Sequence, residues 1–321
     1  METAGARWRV LIGSRSFGRA FPEHIEMLRR AGCDVTPNKS GRAYREKELI
    51  EALRGMDAII TGTDQLTARV INAAALRTIA KHGVGLDNID LEAAKARGVI
   101  VTYTPGAIED SVADLAMALM LIVARRIVPA HLKTRKGGWK PLQGFELRGK
   151  VLGIIGLGRV GKAVYQRAKG FGMRVVACDP NPDIEFARSH DIPLVTLDDL
   201  LEESDIISLH ASSPENRRPI IGREELKKTK RTAILVNTAR GRLVDEDALA
   251  EALAEGRIKG AGLDVFACEP PAGSKLLRLK NVVVTPHMGG QTVEGLRRMG
   301  EMTVENCLRA LRGEPPLYQV G

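Results

Sequence analysis

Apolar residues fall along this chain in short, nearly unbroken runs separated by stretches of helical period, and the alternation holds from residue 7 to about 105. Trp8 to Ile12, Asp57 to Thr61, Leu76 to Lys81 and Val99 to Thr102 read as strands, whereas Pro22 to Arg30 and Leu91 to Arg97 read as helices. Alternation of this kind predicts a parallel sheet with crossover helices. A long apolar helix is expected after Thr104-Pro-Gly106, continuing through Ser111 to Ala124. Its apolar content exceeds one stripe, which predicts burial between domains or in a subunit interface. An arm rich in Gly and Lys, Lys133 to Gly149, follows it. A second alternating series then places strands at Val151 to Ile155, Met173 to Cys178, Asp205 to His210, Thr232 to Val236, Ala261 to Val265 and Val282 to Val284. The expected fold class is therefore α/β, with two doubly wound parallel sheets. Such sheets bind ligands at the carboxyl ends of their strands, so the residues just after each strand carry the functional information.

The most telling of these strand ends is Lys150-Val-Leu-Gly-Ile-Ile-Gly-Leu-Gly-Arg-Val-Gly161, a strand running into a Gly-x-Gly-x-x-Gly turn that opens a helix. Gly156 permits the tight turn, Gly158 lets a pyrophosphate approach the backbone, and Gly161 lets the helix pack close to the strand. The helix N-terminus offers unpaired N–H groups and partial positive charge to the phosphates. Asp179 ends the next strand, 18 positions beyond Gly161. A carboxylate there accepts hydrogen bonds from adenosine ribose hydroxyls and repels a 2′-phosphate, so NAD is expected rather than NADP.

Composition narrows the picture further. The 321 residues suffice for two domains. The formal net charge of +9 raises nucleic acid as a partner, but 48 basic residues are spread along the chain among 39 acidic ones, with no basic run interleaved with aromatics. No nucleic-acid partner is expected. The four cysteines are far apart and form no C-x-x-C pair, which suits reduced thiols in the cytoplasm; no metal site is expected. The longest apolar stretch, Leu115 to Ala124, is too short to span a bilayer, and the N-terminus has no apolar signal core.

Three polar clusters follow late strands. Asn237-Thr-Ala-Arg-Gly241 offers Arg240, which can hold a carboxylate through two parallel N–H bonds and polarise a neighbouring carbonyl. In Gly262-Leu-Asp-Val-Phe-Ala-Cys-Glu-Pro270, Asp264 can accept from a nicotinamide carboxamide and Glu269 can orient a histidine. Val282-Val-Val-Thr-Pro-His-Met-Gly-Gly290 offers that histidine, His287. Reduction of a keto acid needs hydride at the carbonyl carbon and a proton at its oxygen. His287 titrates near neutrality and can deliver the proton, with Glu269 raising the pKa of the cation and Arg240 anchoring the substrate carboxylate.

At this point the sequence resembles the D-isomer-specific 2-hydroxyacid dehydrogenases, and within them the phosphoglycerate dehydrogenase branch. The matching elements are Lys81-His-Gly-Val-Gly-Leu-Asp-Asn-Ile-Asp90, Thr104-Pro-Gly106 with Ser111-Val-Ala113, Gly153 to Gly161, Asn237 to Gly241, Leu263-Asp-Val-Phe266 with Glu269-Pro270, and Pro286 to Gly290. The resemblance implies a Rossmann cofactor domain, residues 105–290, inserted into a flavodoxin-like substrate domain, residues 1–104 and 291–321. It implies Arg240, Glu269 and His287 as the catalytic set. Around the cofactor it implies Val84, Arg159, Val160, His210, Ala211, Thr238, Ala239, Asp264, His287 and Gly289, beside the glycines and Asp179. Near the substrate carboxylate it implies Lys81, the Gly83-Val84-Gly85 backbone and Arg240. Members of the family are commonly homodimers joined through the long helix and arm.

Three departures matter, the first altering the lip of the cofactor site and the last bearing on the substrate. Relatives often carry His-x-Pro-Leu-Thr where this chain has His210-Ala-Ser-Ser213, and many have Asn where it has Tyr103. Phosphoglycerate dehydrogenases often place an arginine after the strand ending at Thr61, where this chain has Gly62-Thr63. The loop Ser14-Arg-Ser-Phe-Gly-Arg19 could supply a cation instead, or be a solvated basic turn. The expected function is NAD-dependent interconversion of a D-2-hydroxy acid and its 2-keto acid, with 3-phosphoglycerate oxidation first and hydroxypyruvate or glyoxylate reduction next. An NAD-sensing binding protein of corepressor type is the alternative from another class.

Overall fold

The computed structural model describes residues 8–212 and 218–320, so Ser213 lies outside the described residues. The chain divides into two compact units, residues 1–108 with 291–321, and residues 109–290.

The first unit runs β1 (Trp8–Ile12), α1 (Glu23–Arg30), β2 (Cys33–Pro37), α2 (Glu46–Ala52), β3 (Ala58–Thr61), α3 (Ala68–Asn72), β4 (Thr78–Lys81), α4 (Leu91–Ala96) and β5 (Ile100–Thr102). Its five strands lie in the order β2-β1-β3-β4-β5, all parallel, which is the flavodoxin-like order. Successive side chains leave a strand on opposite faces. Val10, Ile12, Ile60 and Ala80 therefore enter one core with Leu28, while Leu11, Ile59, Ile79 and Val101 enter the other with Leu49 and Val70. With both faces covered, polar alternation has no place in the inner strands, and this is why they read as continuous apolar runs.

The second unit runs α5 (Glu109–Ala124), α6 (Ile127–Arg135), β6 (Val151–Ile155), α7 (Arg159–Gly170), β7 (Arg174–Cys178), α8 (Ile184–Ser189), α9 (Leu197–Glu203), β8 (Ile206–Leu209), α10 (Arg223–Lys228), β9 (Ile234–Asn237), α11 (Glu246–Ala254), β10 (Gly260–Leu263) and β11 (Val282–Val284). The strand order is β11-β10-β9-β8-β6-β7, again all parallel. Beyond β7 a single parallel bridge, Ala177 to Leu194, marks a further edge strand reduced to one contact. Pro193 stands beside it with no N–H to give, which keeps that edge short. Counting that vestige as the third strand of the unit restores the Rossmann order, with β6 at the point where the winding reverses. The chain then returns to the first unit as α12 (Val293–Arg312), whose Val304, Cys307, Leu308 and Leu311 join the core of Val10 and Ile12.

Several expectations are corrected. The sequence reading left Cys33 to Pro37 unassigned; β2 is a sheet edge with only Cys33 and Val35 buried, too short an alternation to stand out. It placed the start of the arm at Lys133, but α6 continues to Arg135 after a break at Arg126, whose backbone is left-handed at φ 53°. It expected α5 to be buried between domains or subunits. Much of that burial occurs inside the second unit, where Leu119, Met120 and Ala116 are fully buried in the core of Leu152, Ile154 and Val164.

Leu119 is 0 % exposed and lies directly over β10, within 2.9 Å of where a Cβ on Gly262 would stand. Truncating it leaves a void that the packed strand cannot refill. Leu119→Ala is expected to destabilise the second unit by about 3 kcal/mol, measured as a lower denaturant midpoint at unchanged slope.

Candidate active site

The glycine turn after β6 is built to lie against bare backbone. Gly156 has φ 94°, and a Cβ there would stand 2.6 Å from Ala211 N and 2.7 Å from the His210 carbonyl carbon. A Cβ on Gly161 would stand 2.2 Å from Gly156 O, so helix and turn can meet only without side chains. Gly158 caps α7 with no side-chain bond of its own, and the first N–H groups of α7 have no intrahelical acceptor. Leu157 N instead donates to Asp179 Oδ2 at 2.7 Å, and Asn181 N donates to Asp179 Oδ1 at 2.8 Å. Asp179 is thus held at the end of β7, half-buried, with its orientation set by two backbone donors.

Two polar atoms at the neighbouring strand ends test whether this end of the sheet fits a dinucleotide. His210 shares a proton with Ser208 Oγ through Nε2 at 2.8 Å, while its Nδ1 is buried without a partner. Burial drives the pKa of His210 down to about 3, so the ring is neutral. Thr238 Oγ1, after β9, is also buried without a partner. Unsatisfied buried polar atoms are costly, and a bound ligand rich in hydroxyls and amides relieves that cost. The bare glycine turn, the uncapped helix and the two orphans all fit NAD. Ala211 is half-buried, Val160 packs its side chain into the core beneath the turn, and Arg159 is exposed at the start of α7.

The chemistry-bearing residues converge on the other half of the same sheet. After β9, Asn237 is 1 % exposed and shapes its own loop, accepting from Ala239 N at 3.0 Å and donating to Arg240 O at 2.8 Å. Arg240 follows, with Nη1 donating to Ala239 O at 2.7 Å. Gly241 is required next, since its Cβ would stand 1.9 Å from the Phe266 carbonyl carbon; the loops after β9 and β10 press backbone to backbone. Glu246 accepts from Ala267 N at 2.5 Å and Glu269 Oε1 accepts from Phe266 N at 3.0 Å, so Glu269 is fixed by its own loop.

After β10, Asp264 is 1 % exposed, and its carboxylate accepts from Thr285 Oγ1 at 2.6 Å, Met288 N at 2.9 Å and Gly289 N at 2.9 Å. Its backbone O accepts from His287 N at 2.9 Å. The turn that carries His287 is therefore wrapped around Asp264, and His287 is driven to φ 52°, a conformation rare for a side chain of its size. The imidazole Nδ1 meets Glu269 Oε2 at 2.7 Å. That hydrogen bond holds the His287 pKa above 6.5 against the opposing effect of burial, and Arg240 is near enough to press it down slightly. Burial pushes Glu269 up, but the bonds from His287 and Phe266 N outweigh it and its pKa lies below the usual carboxylate value.

Within the second unit the structure thus brings together Arg240, Glu269, His287, Asp264 and Gly289, beside Thr238 and Ala239. Asn237, Thr285 and Glu246, which sequence reasoning passed over, brace them. The polar Asn at a strand end and the Asp245-Glu246 start of α11 were the available signals. Lys81, Gly83, Val84 and Gly85 belong to the first unit, Lys81 as the last residue of β4 and the others just after it. There the Lys81 ammonium donates to Gly62 O and to Asn88 Oδ1 at 2.6 Å.

The chain has clear relatives. Residues 117–289 match the family model described as D-isomer specific 2-hydroxyacid dehydrogenase, NAD binding domain. A glyoxylate reductase of Korarchaeum cryptofilum is 46% identical over 84% of this chain and 84% of its own. A D-3-phosphoglycerate dehydrogenase of Methanocaldococcus jannaschii is 44% identical over 84% of this chain and 52% of its own. Among solved structures, the TT0316 protein of Thermus thermophilus superposes with a TM-score of 0.89 at 40% identity, covering 98% of this chain and all of that one. With the family's NAD-binding domain and relatives of this identity along most of its length, the chain belongs to the D-isomer-specific 2-hydroxyacid dehydrogenases, NAD-dependent oxidoreductases.

Proposed function

We propose that this enzyme reduces a small, unphosphorylated 2-keto acid of the glyoxylate or hydroxypyruvate kind to its D-2-hydroxy acid, with Arg240, Glu269 and His287 as the catalytic set. The observation that carries the reading is the Nδ1–Oε2 pair of His287 and Glu269 on a turn beside the Arg240 loop. Bound NADH supplies the hydride. His287, cationic when paired with Glu269, gives a proton to the carbonyl oxygen from Nε2, while Arg240 holds the carboxylate and stabilises charge on that oxygen. In the reverse direction the neutral imidazole accepts the alcohol proton.

The sequence placed 3-phosphoglycerate oxidation first. Two observations favour the smaller substrates. The Korarchaeum cryptofilum relative, 46% identical to this chain, is a glyoxylate reductase. The loop after β3 carries Gly62 and Thr63, with no arginine where phosphoglycerate dehydrogenases often use one. Homodimerisation through α6 and the arm is part of the proposal. It is supported by Ile127, Leu132 and Trp139, which leave 47 %, 53 % and 87 % of their surface uncovered. No helix among the described residues is long and apolar enough to cross a membrane, and we place the enzyme in the cytoplasm.

Loss of NADH absorbance is expected with glyoxylate and hydroxypyruvate and to be weaker with 3-phosphohydroxypyruvate. Turnover of none of them would favour the NAD-sensing role instead. His287→Ala is expected to lower kcat by about 10²- to 10⁴-fold with little change in NADH affinity by fluorescence titration.

The pH dependence is set by the direction of the His287 shift. Because its pKa is raised above 6.5, the proton-donating form persists to higher pH than in an unpaired imidazole, and reductive kcat/KM is flat below that raised pKa and falls as pH rises through it. Glu269→Gln removes the main cause of the shift, so the alkaline limb is expected to move to lower pH. An unmoved limb would mean that His287 is not the proton donor.

A further inference from the structure

One cation beside the cofactor turn is engaged away from the phosphates. Lys162 follows Gly161 directly and lies in the first turn of α7, the helix whose N-terminus faces the proposed phosphate position. Its ammonium is turned toward the segment after β7. There it donates to Asp183 Oδ2 at 2.5 Å and sits 4.7 Å from the centroid of the Phe186 ring. Both contacts are themselves braced. Asp183 Oδ1 accepts from Phe186 N at 3.0 Å and so caps α8, while Phe186 stacks on His190 with ring centroids 4.1 Å apart. Asp183 stands four residues beyond Asp179, on the same short segment, and Asn181 between them donates its N–H to Asp179. The ion pair therefore joins the phosphate-binding helix to the loop that carries the proposed ribose-reading carboxylate.

In the latch itself two carboxylates, Asp179 and Asp183, stand against one ammonium, while Arg159 is exposed at the start of α7. A 2′-phosphate would bring further negative charge beside those two carboxylates. With both carboxylates neutral the same group would be positive, with Lys162 as the only one of the three still charged. We propose that Lys162 is a latent phosphate-binding residue held away by Asp183 and Phe186, and that this latch, together with Asp179, determines the preference for NAD over NADP. This inference rests on the assignment of Asp179 to the ribose but not on the choice of substrate. Lys162 acts on the cofactor alone.

The test is fluorescence titration of NADH and NADPH, in the absence of substrate, against four forms of the full chain. They are Asp179→Ser, Asp183→Asn, the Asp179→Ser/Asp183→Asn double variant, and that double variant with Lys162→Met added. Asparagine caps a helix as well as aspartate, and methionine keeps most of the apolar stem of lysine, so both replacements preserve local packing. The double variant is expected to bind NADPH about two- to fivefold more tightly than Asp179→Ser alone, the scale of one partly exposed charge pair. Adding Lys162→Met should abolish that gain, and added salt should erode it. A gain that survives Lys162→Met, or no gain in the double variant, would overturn the latch. If Asp179→Ser left NADH affinity untouched, the ribose assignment would fall while the Lys162 comparison stayed readable.

Discussion

The geometry of the proposed catalytic group depends on how one buried charge finds its partners. Asp264 is almost wholly removed from water, and an ionised carboxylate in that position is tolerable only when hydrogen bonds replace its lost solvation. Its three side-chain partners all come from residues 285–289. The turn after β11 must therefore close around Asp264. Closing it costs His287 a left-handed backbone, and the hydrogen bonds to Asp264 offset that cost. A carboxylate has about four lone-pair positions, so one remains for a carboxamide. The residue read from sequence as a cofactor contact is in the structure first of all the foundation of the histidine turn.

Sheet order divides the labour in the second unit. The elements that fit a dinucleotide, the glycine turn, Asp179 and the His210 end, follow β6, β7 and β8, whereas Arg240, Glu269 and His287 follow β9, β10 and β11. Thr238 Oγ1, orphaned and buried after β9, lies where the two sets meet. All the strands are parallel, so every one of these residues emerges at the same end of the sheet. Six segments distant in sequence are thereby gathered without any one loop having to be long.

The same sheet order decides which parts were legible in the sequence. Inner strands such as Ile234 to Asn237 declare themselves because both faces are buried, and the residues directly after such a strand must then sit at the ligand end. Arg240 could be picked out on that basis, whereas Glu269 lies further along the loop after β10 and His287 follows β11, an edge strand that its run of three valines still marked. Two other edge elements were not legible: β2 buries two of its five residues, and the vestigial strand at Leu194 is one bridge long. Helix α12 was left unassigned although Thr292 accepts from Gly295 N at its start and Gly313 ends it in a left-handed turn. Those capping signals are local, and the apolar face between them is matched by residues of α1, β3, β4 and β5, far away in the chain. The bracing by Asn237, Thr285 and Glu246 escaped for the same reason, since each acts on backbone that sequence alone does not bring near.

The acidic residues of the second unit show how exposure decides what a carboxylate can do. Asp264, almost fully enclosed and taking three donors from one turn, is committed first to architecture. Asp179, half-buried and fixed by Leu157 N and Asn181 N, keeps an open side with its direction already set, which is the condition for recognising a hydroxyl pair without paying orientation entropy on binding. Glu269, more open still, takes one backbone donor on one oxygen and leaves the other to the imidazole, so its charge is directed at the group proposed as proton donor. Asp183, the most exposed of the four, is held by Lys162 on one oxygen and by Phe186 N on the other, and these bonds keep its pKa below the usual carboxylate value. The order of burial thus runs from a charge that shapes the backbone, through one proposed to read a ligand and one proposed to tune a proton, to one that caps a helix and restrains a neighbour.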